Sequence, residues 1–434
     1  MKDMLDRQSN ILNDLTGMVA ENTDDNLDLK LAFSQIDHKK PIWILGAGKA
    51  SILMAREAER YFADRIKDGM IITDSVPVKM KYTQVFSGSH PFPDEASVSA
   101  SYELREFAQK IPETDQVIFC LSGGASSLLC IPAGNLEVSE LSKTYQILLK
   151  SGASIHEINI VRKHLSETAG GRVGKILADH NVYSVILSDV PGDDPATIGS
   201  APTIPDPSTF RDCFKIVKKY GIWPKLPHSV RIFISKGMHR DIDETPKPND
   251  NSWIKHKVEI ISAAKLMANS IGASLEGLGY HVEIPKEAYD KPLPKLSKDI
   301  CSDAITILSK RGKTKTPAAL VYYGESTVNV TDDGKGGRNQ HLALMAAISI
   351  EGQHPISVMS LATDGVDGPT DSAGAIINSM TTLKARKKKL IPEDYLQSFN
   401  SYNFHEQMST HIQIGRTGIN AMDLQVVLVG VPKK

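Results

Sequence analysis

The chain has 434 residues, more than one hydrophobic core usually supports, so two domains are expected. Fifty basic and 51 acidic side chains leave a formal charge of -1 at pH 7, which argues against a nucleic-acid binder or a membrane-surface protein. With 41% hydrophobic and 23% charged residues the composition is that of a globular chain rather than a disordered one. Cys120, Cys130, Cys213 and Cys301 form no Cys-x-x-Cys pair, so neither a disulfide framework nor a zinc site is expected. No run approaches the ~20 apolar residues of a membrane span, and no secretory apolar segment follows Met1, so the expected location is cytoplasmic.

Residues 4–34 carry apolar positions at helical spacing and read as helix. An α/β rhythm follows. Pro41–Leu45, Met70–Thr73, Gln116–Leu121 and Val182–Leu187 are continuous apolar runs of strand length, separated by helical patterns over Ser51–Ile66 and Ile155–Ala178. Such runs indicate a parallel sheet covered on both faces, a Rossmann-like first domain. The polar stretch Arg240–Ser252, with Pro246 and Pro248, reads as the connection, which gives domains over residues 1–245 and 246–434. A second α/β series follows in the smaller C-terminal domain, with strands Val258–Ile261, Tyr280–Ile284, Ala318–Tyr323, Ile356–Leu361 and Leu424–Val429 and helices between them. Lys384–Lys389 reads as a solvated helix face.

Ligands of open α/β sheets bind beyond the carboxyl ends of the strands, and polar, glycine-rich segments follow these strands. The first is Gly46-Ala47-Gly48-Lys49-Ala50-Ser51. Glycine lets a backbone approach a ligand, and the helix N-terminus offers free N–H groups to an anion. A P-loop fails here, because Trp43 and Ala50 stand where Gly and Ser or Thr are needed. The dinucleotide fingerprint ends in Ser51 instead of glycine, with Asp74 roughly where a ribose-binding acid would lie. Polyphosphate, dinucleotide and a plain strand–helix turn all stay open at this point.

The second turn supplies Ser122, Gly123, Gly124, Ala125 and Ser126, small residues whose N–H groups can form a phosphate-holding nest. His90, in the rigid His90-Pro91-Phe92-Pro93-Asp94 segment, reads as a pocket wall or a plain turn. Arg162 and Arg172 read as anion clamps or as part of a solvated basic face. Asp189, Asp193 and Asp194 crowd carboxylates as a Mg²⁺ site would, or form an Asp-rich turn. Farther on, Glu325, the Gly336-Gly337-Arg338 turn, and Asp364 and Asp367 among glycines complete the polar segments.

In this order, the turns around Lys49, His90, Ser122–Ser127, Asp189–Asp194, Gly336–Gln340 and Thr363–Gly368 resemble those of glycerate 2-kinases of the MOFRL type, a likeness spanning about residues 40 to 430. The resemblance implies ATP-dependent phosphorylation of D-glycerate to 2-phosphoglycerate with a divalent cation, in a cleft between two α/β/α domains. It makes Lys49 and Arg338 the central catalytic cations. ATP would then be held by Gly46, Gly48, Ser122–Ser126 and Glu325, the acceptor by His90, Arg162, Asp364 and Asp367, and Mg²⁺ by Asp189 and Asp193. Its partners would be small molecules, with a homodimer as the assembly the reading allows. Tyr323, Arg416 and Ile419 replace smaller residues of the family pattern and bear on the acceptor pocket. The alternatives are an NAD-dependent hydroxypyruvate reductase and a non-catalytic sugar-phosphate-binding protein.

Overall fold

The computed structural model describes residues 2–21, 29–37, 39–188, 194–314, 317–328, 332–417 and 422–432. Two compact units emerge: one from the described residues of Leu27–Ser188 and Asp193–Ile261, the other from those of Met1–Asn26 and Ser262–Lys434.

The first unit is built on strands β1 (Ile42–Ala47), β2 (Ile66–Thr73), β3 (Thr83–Ser87), β4 (Gln116–Ser122), β5 (Asn181–Ser188) and β6 (His256–Ser262), in the order β3-β2-β1-β4-β5-β6. Neighbouring pairs from β3 through β5 run parallel. Ile42, Ile44, Leu45, Val117, Ile118 and Phe119 are fully buried, as a sheet covered on both faces requires. This is the doubly wound order, whose switch point lies between β1 and β4. The division at Ile261 differs from the expected 245/246 because β6 adds to the edge of this sheet beside β5 instead of opening the next. The helix expected over Ile155–Ala178 ends at His164, and Gly170 and Gly171, both at positive φ, separate it from a short helix at Arg172–Ile176.

The second unit holds β7 (His281–Glu283), β8 (Tyr289–Pro292), β9 (Ala318–Thr327), β10 (Ile356–Ala362), β11 (Gly374–Asn378), β12 (His411–Ile412) and β13 (Asp423–Val429). Its sheet runs β12-β11-β10-β13-β9-β7, with β8 on β9, and is mixed: β7 and β8 run parallel to β9, the other pairs antiparallel. Leu296 and Ile300 of the helix Leu293–Thr314 and Leu342 and Ala346 of the helix Arg338–Ser349 pack with Val358 and Val427 of the sheet. The N-terminal helix Lys2–Glu21 belongs to this unit. Its buried Gln8 donates to the Leu428 and Gly430 carbonyls at 3.1 and 2.8 Å, and accepts from Ser357 Oγ at 2.8 Å. Among the described residues no helix is long and apolar enough to cross a membrane.

Candidate active site

The two glycine-rich turns leave β1 and β4 at the switch point of the first sheet and are bonded to each other. Lys49 N–H donates to Gly123 O at 2.9 Å, and Ala50 N–H to Ser122 Oγ at 3.0 Å. Gly48 sits at φ +132, where a Cβ would fall 2.2 Å from Ser122 Oγ, so only glycine allows this approach. Ser51, in the place of the fingerprint's last glycine, donates to Gly48 O at 2.7 Å and closes the turn. Gly46 and Ser122 therefore shape the turns; a Cβ on Gly46 would strike Cys120 O of β4 at 2.5 Å, so its lack of a side chain serves strand packing rather than ligand approach.

Lys49 is exposed beyond this stitched backbone. A Cβ on Gly124 (φ +86) would lie 3.1 Å from the His90 ring and 3.3 Å from Lys49 Cγ, so these three converge. The helix after the second turn is a single turn, Ala125–Leu128, whose opening N–H groups on Ala125 and Ser126 have no acceptor within it. Ser126 Oγ lies 2.6 Å from Ser200 Oγ, tying the nest to a turn in which Gly199, Ser200 and Ala201 all have positive φ. Burial, then Lys49, holds His90 below the ordinary imidazole range, with Arg162 adding in the same direction; His90 thus offers a hydrogen bond rather than a charge at neutral pH.

The basic cluster resolves into different roles. Lys163 pairs with Asp206 at 2.8 Å, His164 meets Glu244 at 3.1 Å, and Arg172 Nη1 donates to Lys163 O at 2.9 Å. These three are internal struts, so Arg172 is not the anion clamp expected of it. Arg162 is different. It is 9% exposed, its guanidinium lies 4.7 Å from the Tyr145 ring centre, and among the described residues no carboxylate pairs with it. Burial pulls its pKa down, opposed by Tyr145 and then Cys130. A desolvated guanidinium whose charge is felt at His90, and which has no counter-ion among the described residues, is suited to hold an anion.

The second unit carries a cavity of about 340 Å³ lined by Arg338, Asp364, Asp367 and Asp423 among others. Arg338 opens its helix after the glycine pair, with Nε 2.6 Å from Asp423 Oδ2 and Nη2 3.4 Å from Glu325. The Asp423 contact is close but off the hydrogen-bonding direction, while Asn339 Nδ2 donates to the other oxygen at 2.8 Å. Asp364 Oδ1 accepts from Val366 N–H at 3.0 Å. The Asp367 carboxylate accepts from the backbone and side chains of both Asn339 and Gln340, so it caps the Arg338 helix at the wall of the cavity.

Asp189, Asp193 and Ile419 lie outside the described residues. Asp194 accepts from Ala196 N–H and Thr197 Oγ1, so its carboxylate is already engaged. Among the described residues no group of three His, Cys, Asp or Glu side chains is placed to hold a metal. Tyr323 does not line the cavity; it is buried and its hydroxyl donates to the Pro285 and Lys286 carbonyls at 3.2 and 3.1 Å. Arg416 is exposed. Asp423 escaped notice as a single acid at the head of an apolar strand, and its meaning depends on Arg338 far upstream.

Residues 13–235 match the model of a domain of unknown function, DUF4147, and residues 318–423 match the MOFRL family. A D-glycerate 2-kinase of Thermotoga maritima is 36% identical over 89% of this chain and 90% of its own length. A putative hydroxypyruvate reductase of Agrobacterium vitis is 31% identical over 89% of this chain and 87% of its own. The crystal structure of a glycerate kinase from Thermotoga maritima superposes with a TM-score of 0.83 at 32% identity, covering 98% of this chain and 100% of that one. From the stitched switch-point turns to the Arg338 helix, the chain belongs to the glycerate 2-kinase family, and it is an enzyme of that kind.

Proposed function

We propose that the chain transfers a phosphoryl group from ATP to the 2-hydroxyl of D-glycerate. The observation that carries this reading is Arg162: a buried guanidinium without a carboxylate partner among the described residues, whose charge, like that of Lys49, is felt at His90. A small hydroxy acid supplies the missing carboxylate, which guanidinium can take in two parallel hydrogen bonds. His90, kept neutral, orients the acceptor. The turn at Gly123–Ser126 offers N–H groups to phosphate oxygens. Lys49 and Arg338 stabilise the charge that spreads over the transferring phosphoryl group, the main contribution a protein makes to this chemistry. Asp423 and Glu325 hold Arg338 in place.

Mg²⁺ would neutralise charge on the nucleotide phosphates, with Asp189 and Asp193 as its proposed carboxylates. None of the roles assigned to Lys49, Arg162 or Arg338 depends on those two residues. Incubating the protein with Mg-ATP and D-glycerate and reading the mixture by ³¹P NMR tests the proposal. The expected spectrum contains ADP and 2-phosphoglycerate. No phosphoglycerate, together with NADH oxidation when hydroxypyruvate is supplied, would replace the kinase by a reductase.

A further inference from the structure

The turn that backs the Gly123–Ser126 nest is held in a conformation its residues do not favour. Ser200 and Ala201 have φ of +58 and +54, a region that residues other than glycine rarely adopt. The N–H groups of Gly170 and Gly171 donate to the Ser200 and Ala201 carbonyls at 2.9 and 2.8 Å and fix them there. A Cβ on Gly199 would lie 2.8 Å from Ala125 Cβ, so this turn packs directly on the nest. Such strain persists only where the surroundings over-determine it, and it gathers at ligand sites.

A third support is Asn159, 2% exposed and one helical turn before Arg162 on the helix Ile155–His164. Asn159 Nδ2 donates to the Thr197 carbonyl at 2.7 Å, and its Oδ1 accepts from Ser200 Oγ at 3.2 Å. A carbonyl only accepts, so the amide nitrogen faces Thr197 and the amide oxygen faces Ser200. Ser200 has one hydrogen, and giving it elsewhere would leave a buried oxygen unsatisfied. The 2.6 Å contact between the two serine hydroxyls therefore runs from Ser126 to Ser200. Ser200 is 1% exposed and Ser126 is half-buried, so Ser126 is the end of this chain that faces outward. Its hydroxyl hydrogen points inward, and what it offers a ligand is a lone pair. Phosphate oxygens bring lone pairs of their own and suit the N–H groups of the nest instead. The Ser126 oxygen suits a hydroxyl. Of the polar groups of D-glycerate, Arg162 takes the carboxylate and the 2-hydroxyl meets the phosphoryl group, which leaves the 3-hydroxyl without a partner.

We propose that Ser126 Oγ accepts a hydrogen bond from the 3-hydroxyl of D-glycerate, and that Asn159 is the positioning residue that turns the Ser126 hydroxyl for this task. The proposal rests on D-glycerate as the substrate, and the experiment separates the two. D-lactate keeps the carboxylate and the 2-hydroxyl but lacks the 3-hydroxyl. The preference for D-glycerate over D-lactate is measured as a ratio of kcat/KM for the wild type, Ser126→Ala and Asn159→Asp, and calorimetrically as binding of each acid without ATP. The wild type should prefer D-glycerate by roughly tenfold or more, and Ser126→Ala, which keeps the N–H, should lose most of that preference. KM for ATP should stay within about twofold in Ser126→Ala. In Asn159→Asp an ionised carboxylate cannot donate to Thr197, so the preference should fall at pH 8. It should recover, relative to the wild type at the same pH, as acid returns a proton to that carboxyl; a residue that merely filled space would show no such recovery. An unchanged preference in Ser126→Ala, or a rise in KM for ATP alone, overturns the assignment, whether or not Asn159→Asp folds. A folded Asn159→Asp with the wild-type preference at every pH removes Asn159 from the arrangement. A binding preference for D-glycerate that Ser126→Ala abolishes, in a protein that makes no ADP from ATP and D-glycerate, would uphold the inference and refute the kinase reading.

Discussion

Arg162 and Asp423 are both buried ionisable groups, yet among the described residues only Asp423 has its counter-ion. Arg162 rests on the face of Tyr145. Replacing it by alanine removes the charge-assisted bonds proposed for the acceptor, worth about 1.5–3 kcal/mol, so KM for D-glycerate should rise by roughly ten- to a hundredfold. Arg162→Lys should recover only part of this, because an ammonium cannot reproduce the paired geometry. Steady-state kinetics with glycerate varied would show it, and an unchanged KM in Arg162→Ala would remove the residue from the acceptor site. Asp423 is pushed up to about 7, burial outweighing the pull of Arg338. Between the ordinary carboxylate value of 3.8 and about 7 the folded protein holds a proton that the unfolded chain releases. Its contribution to stability therefore falls as pH rises through that window. The thermal midpoint of the wild type relative to Asp423→Asn should accordingly drop between about pH 4 and pH 7. The same ionisation strengthens the hold on Arg338, so kcat should climb with a midpoint near 7, and Asp423→Asn should flatten that limb.

At the scale of elements, the two turns act as one object because β1 and β4 are neighbours in the sheet. Gly48→Ala places a Cβ against Ser122 Oγ at a φ that L residues rarely adopt. It should destabilise the protein by about 1–3 kcal/mol, read as a lowered chemical-denaturation midpoint, and should separate Lys49 from Gly124. These turns were legible in the sequence because a continuous apolar run followed by small residues marks both a buried parallel strand and a close backbone approach. The strands β1, β4, β10 and β13 announced themselves in that way. β3 did not, being a partly exposed strand without an apolar run; β6 was expected at Val258–Ile261, but as a strand of the second sheet rather than the edge of the first. Nor could the sequence show that Lys163, His164 and Arg172 are struts, since Asp206, Glu244 and the carbonyl partners of Arg172 meet them only through the tertiary fold.

At the scale of the molecule, the first and last stretches of the chain share a unit. Gln8 reaches carbonyls 420 and 422 positions away, a pairing that no local periodicity encodes, although the helix itself was evident from spacing. Gln8→Leu leaves those carbonyls and Ser357 Oγ without their partner, at about 1–3 kcal/mol per unsatisfied group. Hydrogen exchange should accordingly quicken in β10 and β13 and stay unchanged in β1 and β4; uniform quickening would mean that the two units open together. The second sheet was legible as an α/β series but not as a mixed one, because buried parallel and antiparallel strands carry the same apolar run.

The most direct test concerns the two cations, Lys49 in the first unit and Arg338 in the second. ADP release from Mg-ATP and D-glycerate is to be measured at saturating substrates for the wild type, Lys49→Ala and Arg338→Ala, with folding checked by circular dichroism. The expected result is a D-glycerate-dependent rate in the wild type and a loss of kcat of roughly 10²- to 10³-fold in each variant. Near-normal turnover in both folded variants would contradict the assignment of phosphoryl transfer to these residues.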